Sequence, residues 1–160
     1  MIGIRNLKEE SYHLRKAGAA AVANDVDQIS VPYDAYIVAI FAVFGVMGTD
    51  GTGSPTQDVI VDIKKNGTSI FSGAGKINWA HAGQLGTANT PTKASSYVAM
   101  TTNPPTLSKG DFLRLDITQI LNGTTPTQPT DLSVFVVLQR KAGGSTPPVS
   151  VLTGQVDVND

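Results

Sequence analysis

The sequence contains no cysteine, only two histidines and a single tryptophan. The missing cysteine excludes disulfide frameworks, thiolate zinc sites and cysteine nucleophiles. Charged residues make up 16% of the chain, below the usual ~25%, so Thr, Ser, Asn and Gly must cover much of the surface. The 12 basic and 13 acidic residues leave a net charge of −1. This balance argues against a nucleic-acid partner, which would require a basic patch.

The sequence also lacks an apolar run long enough to cross a membrane as a helix. The longest run, Ala35 to Met47, has 13 residues, whereas a membrane helix needs about 20. We therefore expect no membrane partner, and we interpret this run as a buried strand. The length of 160 residues indicates one domain with a core of its own, since domains average about 150 residues.

Motifs for catalysis or metal binding are missing as well. His13 and His81 are isolated in the sequence, whereas a metal site needs several converging ligands. No nucleophile elbow or phosphate-binding glycine loop occurs. Asp58 and Asp62 share one face of a predicted strand, about 13 Å apart, which is too far for a glycosidase pair. We interpret both as solvent-facing, and we predict no enzyme activity, cofactor or metal.

The first 24 residues differ in composition from the rest of the chain. Glu9 and Glu10 are the only glutamates, and every later acid is aspartate. Glutamate favours helix interiors, whereas aspartate favours turns. Leu7 and Leu14 are seven residues apart and share a helical face. This pattern predicts a helix over residues 6–23, with an extended arm as the alternative.

From Asp25 onward the apolar residues recur with a period of two, which is typical of strands. The clearest signal is Asn66-Gly67 between two alternating runs, because this pair favours the type I′ turn of a hairpin. Seven or eight strands without intervening helices predict an all-β, antiparallel jelly roll or β-sandwich. The predicted strands cover residues 26–31, 36–47, 59–64, 68–71, 76–79, 95–100, 112–121 and 132–141.

The chain therefore divides into three predicted parts: an N-terminal arm (1–24), a jelly-roll domain (25–141) and a C-terminal arm (142–160). The last part begins with the linker-like stretch Ala142 to Pro148. The segment that follows, Val149 to Val158, alternates and is apolar enough to form a strand. That strand could pair with its own domain, with a neighbouring subunit or with another protein.

Three stretches of the domain together form a recognisable pattern. A strand ends in Lys-Asn-Gly-Thr-Ser within residues 58–71, Gly-Asp precedes a strand ending in Thr-Gln within residues 107–120, and an apolar strand closes the domain at residues 131–138. Over residues 26–141 this pattern resembles a jelly-roll module of tailed-bacteriophage virion proteins, most closely head decoration (cement) proteins. More loosely, it resembles the globular heads of complement-like and tumour-necrosis-factor-like trimers.

The resemblance implies a structural protein on the capsid surface of a virion. Such a protein decorates and stabilises a phage capsid by clamping neighbouring subunits of the major capsid protein, and it works as a homotrimer. The apolar residues expected to make contacts from the arms are Ile2, Ile4, Leu7, Leu14, Val149, Val151, Leu152 and Val156. The alternative is a receptor- or glycan-binding head of a head fibre or tail appendage, with Trp79 and Tyr97 on its recognition surface.

Overall fold

A computed structural model describes residues 8–49, 56–81, 92–94, 96–97, 100–102, 104–141 and 152–153. In this part of the chain the secondary structure is β throughout, with no α-helix. The twelve strands are β1 (Glu9–Ala19), β2 (Ala23–Ser30), β3 (Ala35–Val46), β4 (Val59–Lys65), β5 (Thr68–Ser69), β6 (Ile77–Trp79), β7 (Thr92–Lys93), β8 (Ser96–Tyr97), β9 (Thr106–Leu107), β10 (Phe112–Gln119), β11 (Thr130–Arg140) and β12 (Leu152–Thr153).

The strands form two sheets, and the prediction of an all-β, antiparallel fold is confirmed. Sheet A has the order β1-β11-β3-β12, and β7 and β9 also pair with β3. Sheet B has the order β2-β10-β4-β6-β8, and β5 pairs with β4. All pairs are antiparallel except β12 with β3, which is parallel.

The two sheets share one hydrophobic core, as in a β-sandwich. Alternate residues of β11 and β3 from sheet A pack against alternate residues of β10 and β4 from sheet B. Phe44 of sheet A meets Trp79 of sheet B edge to face, with ring centroids 4.7 Å apart. Each fully buried Leu or Ile contributes about 1.5–3 kcal/mol, so the alternation seen in the sequence is the main source of stability.

The hairpin predicted at Asn66-Gly67 is confirmed. It joins β4 to β5, with φ angles of 49° at Asn66 and 88° at Gly67. A type I′ turn requires positive φ at both central residues, and Asn and Gly adopt it at low cost.

The helix predicted over residues 6–23 is wrong, because Glu9–Ala19 forms strand β1 of sheet A. Its outward residues are exposed, and Leu14 on the other face is fully buried opposite Val134. Pairing with β11 and burial of Leu14 outweigh the weak helical preference of the glutamates. Gly18, with a φ of 74°, lies where the register with β11 shifts between Lys16 and Ala19, the position of a β-bulge.

The outer edge of β3 is covered by three two-residue strands from separate parts of the chain. β9 pairs at Ala35 and Tyr36, β12 at Ala39 and Ile40, and β7 at Val43 and Phe44. Of the partners considered for the C-terminal segment, its own domain is therefore the one observed at residues 152–153. An uncovered apolar edge of this length would invite aggregation.

Candidate interaction site

The structure places Trp79 in the core and leaves Tyr97 partly exposed. Trp79 is 0% exposed and lies in the core, because the inward face of β6 turns it towards Phe44. The hydroxyl of Tyr97 accepts a hydrogen bond from the Ala42 backbone N–H at 3.0 Å, and burial raises the pKa of this tyrosine. Both side chains therefore connect the two sheets, and the buried Trp79 is not exposed as a platform for a sugar.

The arm residues that were predicted to contact the capsid or a neighbouring subunit do not lie together in the structure. Leu14 is part of the core, so it is not available to an outside partner. The backbone of Leu152 pairs with Ala39 of β3. Six others lie outside the described residues: Ile2, Ile4, Leu7, Val149, Val151 and Val156.

The prediction that Asp62 faces solvent is wrong, since this residue is 0% exposed. The Ser69 hydroxyl donates a hydrogen bond to Asp62 Oδ1 at 2.7 Å, and Lys76 Nζ forms an ion pair with Oδ2 at 2.6 Å. The Lys76 ammonium and the Ser69 hydroxyl compensate the cost of burying this carboxylate. The only signal in the sequence was the excess of Lys and Asp on this strand face.

Asp116 of β10 lies directly opposite Asp62 of β4 and is also 0% exposed. Its carboxylate forms an ion pair with Lys64 and accepts a hydrogen bond from the Asp25 backbone N–H at 2.7 Å. The bond to Asp116 raises the pKa of Lys64. Arg114 in turn forms an ion pair with Asp25. Three acids and three bases therefore balance one another on the outer face of sheet B, as expected of a structural network.

Asp58 and His81 form a second polar cluster at the far end of β4. Asp58 Oδ1 lies 2.9 Å from both the backbone nitrogen and Nδ1 of His81, and Oδ2 accepts a hydrogen bond from Asn78. Burial acts to raise the pKa of Asp58, but the hydrogen bonds from Asn78 and His81 outweigh it and the pKa is lowered. This carboxylate anchors the segment that follows β6.

The two polar motifs of the phage resemblance meet at one corner of the sandwich. Asn66 Nδ2 donates to Asp111 Oδ1 at 2.8 Å, and Asn66 Oδ1 accepts from the Phe112 backbone N–H at 2.9 Å. Lys65 Nζ forms an ion pair with Asp111 at 3.1 Å. Lys-Asn-Gly and Gly-Asp therefore tie the β4–β5 hairpin to the turn before β10, which explains the residue types at both places.

A cavity of about 430 Å³ lies at the same end of the sandwich. It is lined by Pro32, Tyr33, Asp34, Lys109, Arg140 and Lys141. The guanidinium of Arg140 lies 4.3 Å from the ring centre of Tyr33, and Lys141 Nζ lies 4.8 Å from that of Tyr36. Among the described residues, no carboxylate forms an ion pair with Lys109, Arg140 or Lys141.

A hydrogen bond to Glu10 holds the Tyr33 side chain in place. Glu10 Oε2 accepts hydrogen bonds from Tyr33 at 2.8 Å and Tyr12 at 3.0 Å, and Oε1 pairs with Lys8. Lys8, Tyr33 and Tyr12 together lower the pKa of Glu10 to about 2. Burial and the bonds to Tyr12 and Glu10 raise the pKa of Tyr33. The cavity thus presents three cations and the Asp34 carboxylate beside the ring of Tyr33, and this excess of positive charge suits carboxylate or phosphate groups.

Clusters of metal-binding side chains and membrane-spanning helices are both absent from the part of the chain that the structure describes. No group of three or more His, Asp or Glu side chains is placed to hold a metal ion there. No helix in that part is long and apolar enough to span a membrane.

Searches of protein-family models, curated proteins and solved structures each found no match for this chain. No relative therefore contributes a site residue or an activity.

Proposed function

We propose that this protein is a structural virion protein that decorates and stabilises a phage capsid. In this role it lies on the capsid surface and clamps neighbouring subunits of the major capsid protein. The observation that carries the proposal is the corner at which Asn66 and Asp111 meet. The motifs that resemble phage jelly-roll modules are far apart in sequence, and in the fold they form one hydrogen-bonded unit.

We further propose that the sandwich is a jelly roll. Strands β1, β2, β3 and β4 alternate between the sheets, and β10 and β11 lie between earlier strands in sheets B and A. When β7, which also pairs with β3, is taken as the fourth strand of sheet A, the orders β1-β11-β3-β7 and β2-β10-β4-β6 support a winding of this kind. Jelly rolls are two-sheet folds that recur in viral capsid and lectin domains.

The proposed mechanism is mass action. A protein that binds only the assembled shell stabilises that shell by RT ln(1 + [L]/Kd), or about 2.7 kcal/mol at a concentration of 100 Kd. The cations of the cavity, Lys109, Arg140 and Lys141, suit acidic groups on the shell. Apolar contacts would come from the segment that contains Ile2 and Ile4 and from the segment after Lys141. The homotrimer implied by the resemblance remains a prediction.

The copy number of the protein in purified particles tests this proposal. Quantitative mass spectrometry would measure it relative to the major capsid protein of the same particles. We expect hundreds of copies per particle, because a decoration protein occupies repeated positions on the shell. Absence from the particles would contradict any virion role.

A second candidate is the receptor- or glycan-binding head of a head fibre or tail appendage. The observation that favours it is the cavity in which Arg140 lies over the ring of Tyr33, with Lys109 and Lys141 in the same lining, since such a site suits an acidic sugar. The same mass-spectrometric measurement separates the two candidates. A few to a few tens of copies per particle would favour the appendage and contradict the decoration protein.

A further inference from the structure

The outer faces of the two sheets differ in chemistry. Sheet B carries the ion pairs of Asp62 and Asp116 on its outer face. Sheet A instead presents Phe41 and Val43 of β3 beside two apolar residues of β11. Those two residues are Phe135 and Val137, and all four side chains are partly exposed and do not belong to the core cluster.

The apolar residues of sheet A form a continuous surface. His13, Phe135 and Phe41 lie side by side across β1, β11 and β3. The rings of His13 and Phe135 are stacked, with centroids 4.4 Å apart and planes 10° from parallel. Neither β3 nor residues 132–138 contain a charged residue. Depletion of charge and enrichment in aromatic residues are typical of the centre of a protein interface.

We propose that this outer face of sheet A binds the same face of a second copy of the chain, in a dimer with two-fold symmetry. Flat sheet faces pack on each other about 10 Å apart, as the inner faces of a sandwich do. The inference uses only the composition and register of sheet A, and it replaces the homotrimer that the resemblance implies with a dimer.

The register of sheet A makes the face complementary to itself. Tyr12, Val136 and Ile40 lie in one row across the three long strands. Consider a two-fold axis that runs above this row, parallel to the sheet and perpendicular to the strands. It places each residue opposite the residue of the partner subunit that lies equally far from the row on its other side. Phe135 then faces Val137 of the partner subunit.

The same axis brings opposite charges together at the rim. Glu9 and Arg15 are exposed on the outer face of β1, three residues before and after Tyr12. In the dimer, Glu9 therefore faces Arg15 of the partner subunit, and the pair occurs twice.

The position of the axis determines how much of the face the dimer covers. β1, β11, β3 and the row of short strands beside β3 give a width of about 19 Å, at about 4.8 Å per strand. The eleven residues of β1 and β11 extend for about 37 Å. With the axis above the Tyr12 row, β1 overlaps over residues 9–15, β11 over 132–140 and β3 over 35–45, so these three strands cover about 450 Å² per partner, which corresponds to a small interface.

Sedimentation equilibrium of the full-length chain tests the proposal. We expect a dimer of twice 16.7 kDa at micromolar concentration. Phe135→Glu should raise the dimer Kd at least about 100-fold, because it buries a charge at the centre of the interface. The matched control is Phe112→Glu, which makes the same change at a 43% exposed phenylalanine on sheet B and should leave the dimer intact. A monomeric or trimeric wild-type protein would overturn the proposal.

A charge swap on β1 tests the geometry without touching apolar residues. Glu9→Arg should raise the Kd about tenfold, because each of the two rim pairs becomes repulsive. Adding Arg15→Glu in the same chain should restore the wild-type Kd, since the pairs are then reversed but complementary. Failure of the double variant to recover dimerisation would show that the two-fold arrangement is wrong, and this readout does not depend on whether Phe135→Glu folds.

Discussion

Asp62 and Asp116 are like charges that face each other across neighbouring strands in a buried environment. Such a pair is stable only if cations compensate both acids, and here Lys76 and Lys64 do so. Each lysine therefore has a structural role that its position near the surface does not suggest.

Replacing Lys76 tests this role. Lys76→Ala should lower the free energy of unfolding by about 3 kcal/mol, because a buried carboxylate loses its charged partner. Urea denaturation measures the change, and Lys109→Ala, at an exposed lysine, serves as the control with little effect. Adding Asp62→Asn to Lys76→Ala should recover part of the loss. Equal stability of Lys76→Ala and the wild-type protein would contradict the network.

Asp111 makes the stability of the corner dependent on pH. Hydrogen bonds from the Ser108 backbone and Asn66, together with Lys65, lower its pKa below the ordinary value of 3.8. The unfolded chain therefore binds the proton more readily than the folded chain, and stability rises with pH in this range. The ionised Asp111 carboxylate makes its full contribution to the free energy of unfolding well above pH 3.8. This contribution is lost as the pH falls through the lower pKa of the folded state.

We accordingly expect Asp111→Asn to be less stable than the wild-type protein at pH 6 and closer to it at pH 3. Urea denaturation of both proteins at the two pH values measures the difference. A gap that stays constant or widens at pH 3 would show that the charge of Asp111 is not responsible.

At the scale of elements, Gly67 in the β4–β5 turn and Gly48 after β3 are needed for different reasons. Gly67 has a φ of 88°, and a Cβ added there would meet no atom within 4 Å. Gly67→Ala should therefore cost about 1–2 kcal/mol, from conformation alone. At Gly48, by contrast, the added Cβ would lie 2.6 Å from the carbonyl oxygen of Thr127. Gly48→Ala should cost more than Gly67→Ala in thermal denaturation, and the reverse order would contradict this account.

β1 shows where local preference and fold disagree. Its glutamates and basic residues are typical of a helix, yet Tyr12 and Leu14 alternate with exposed residues as in a strand. The eight-residue stretch Glu9 to Lys16 pairs with Gln139 to Leu132 of β11. This partner is more than a hundred positions away in the chain, so no local pattern could reveal it.

At the scale of the whole molecule, the position of β1 defines which part of the N-terminus can act as an arm. Deletion of residues 1–24 would remove β1 together with buried Leu14 and would unfold sheet A. Deletion of residues 1–7 leaves β1 complete. We expect this shorter variant to keep the thermal stability of the body but to bind particles less than the wild-type protein, because it lacks Ile2, Ile4 and Leu7.

Occupancy of the variant on particles that lack the wild-type protein measures this effect, and its melting temperature provides the control. Full occupancy by the shortened chain would contradict a role for these residues in capsid binding. A lowered melting temperature would show instead that the segment supports the body.

The sequence by itself determined the features that depend on neighbours along the chain. Apolar alternation predicts β4, β10 and β11, a continuous apolar run predicts β3, and Asn66-Gly67 predicts its hairpin, because side-chain direction and turn conformation are local properties. Only the tertiary structure decided the outcomes that depend on distant partners. It made residues 9–19 a strand through pairing with β11, buried Asp62 by bringing Lys76 to it, and placed Trp79 between the sheets. Burial and charge compensation arise from register between strands, which the order of residues alone does not specify.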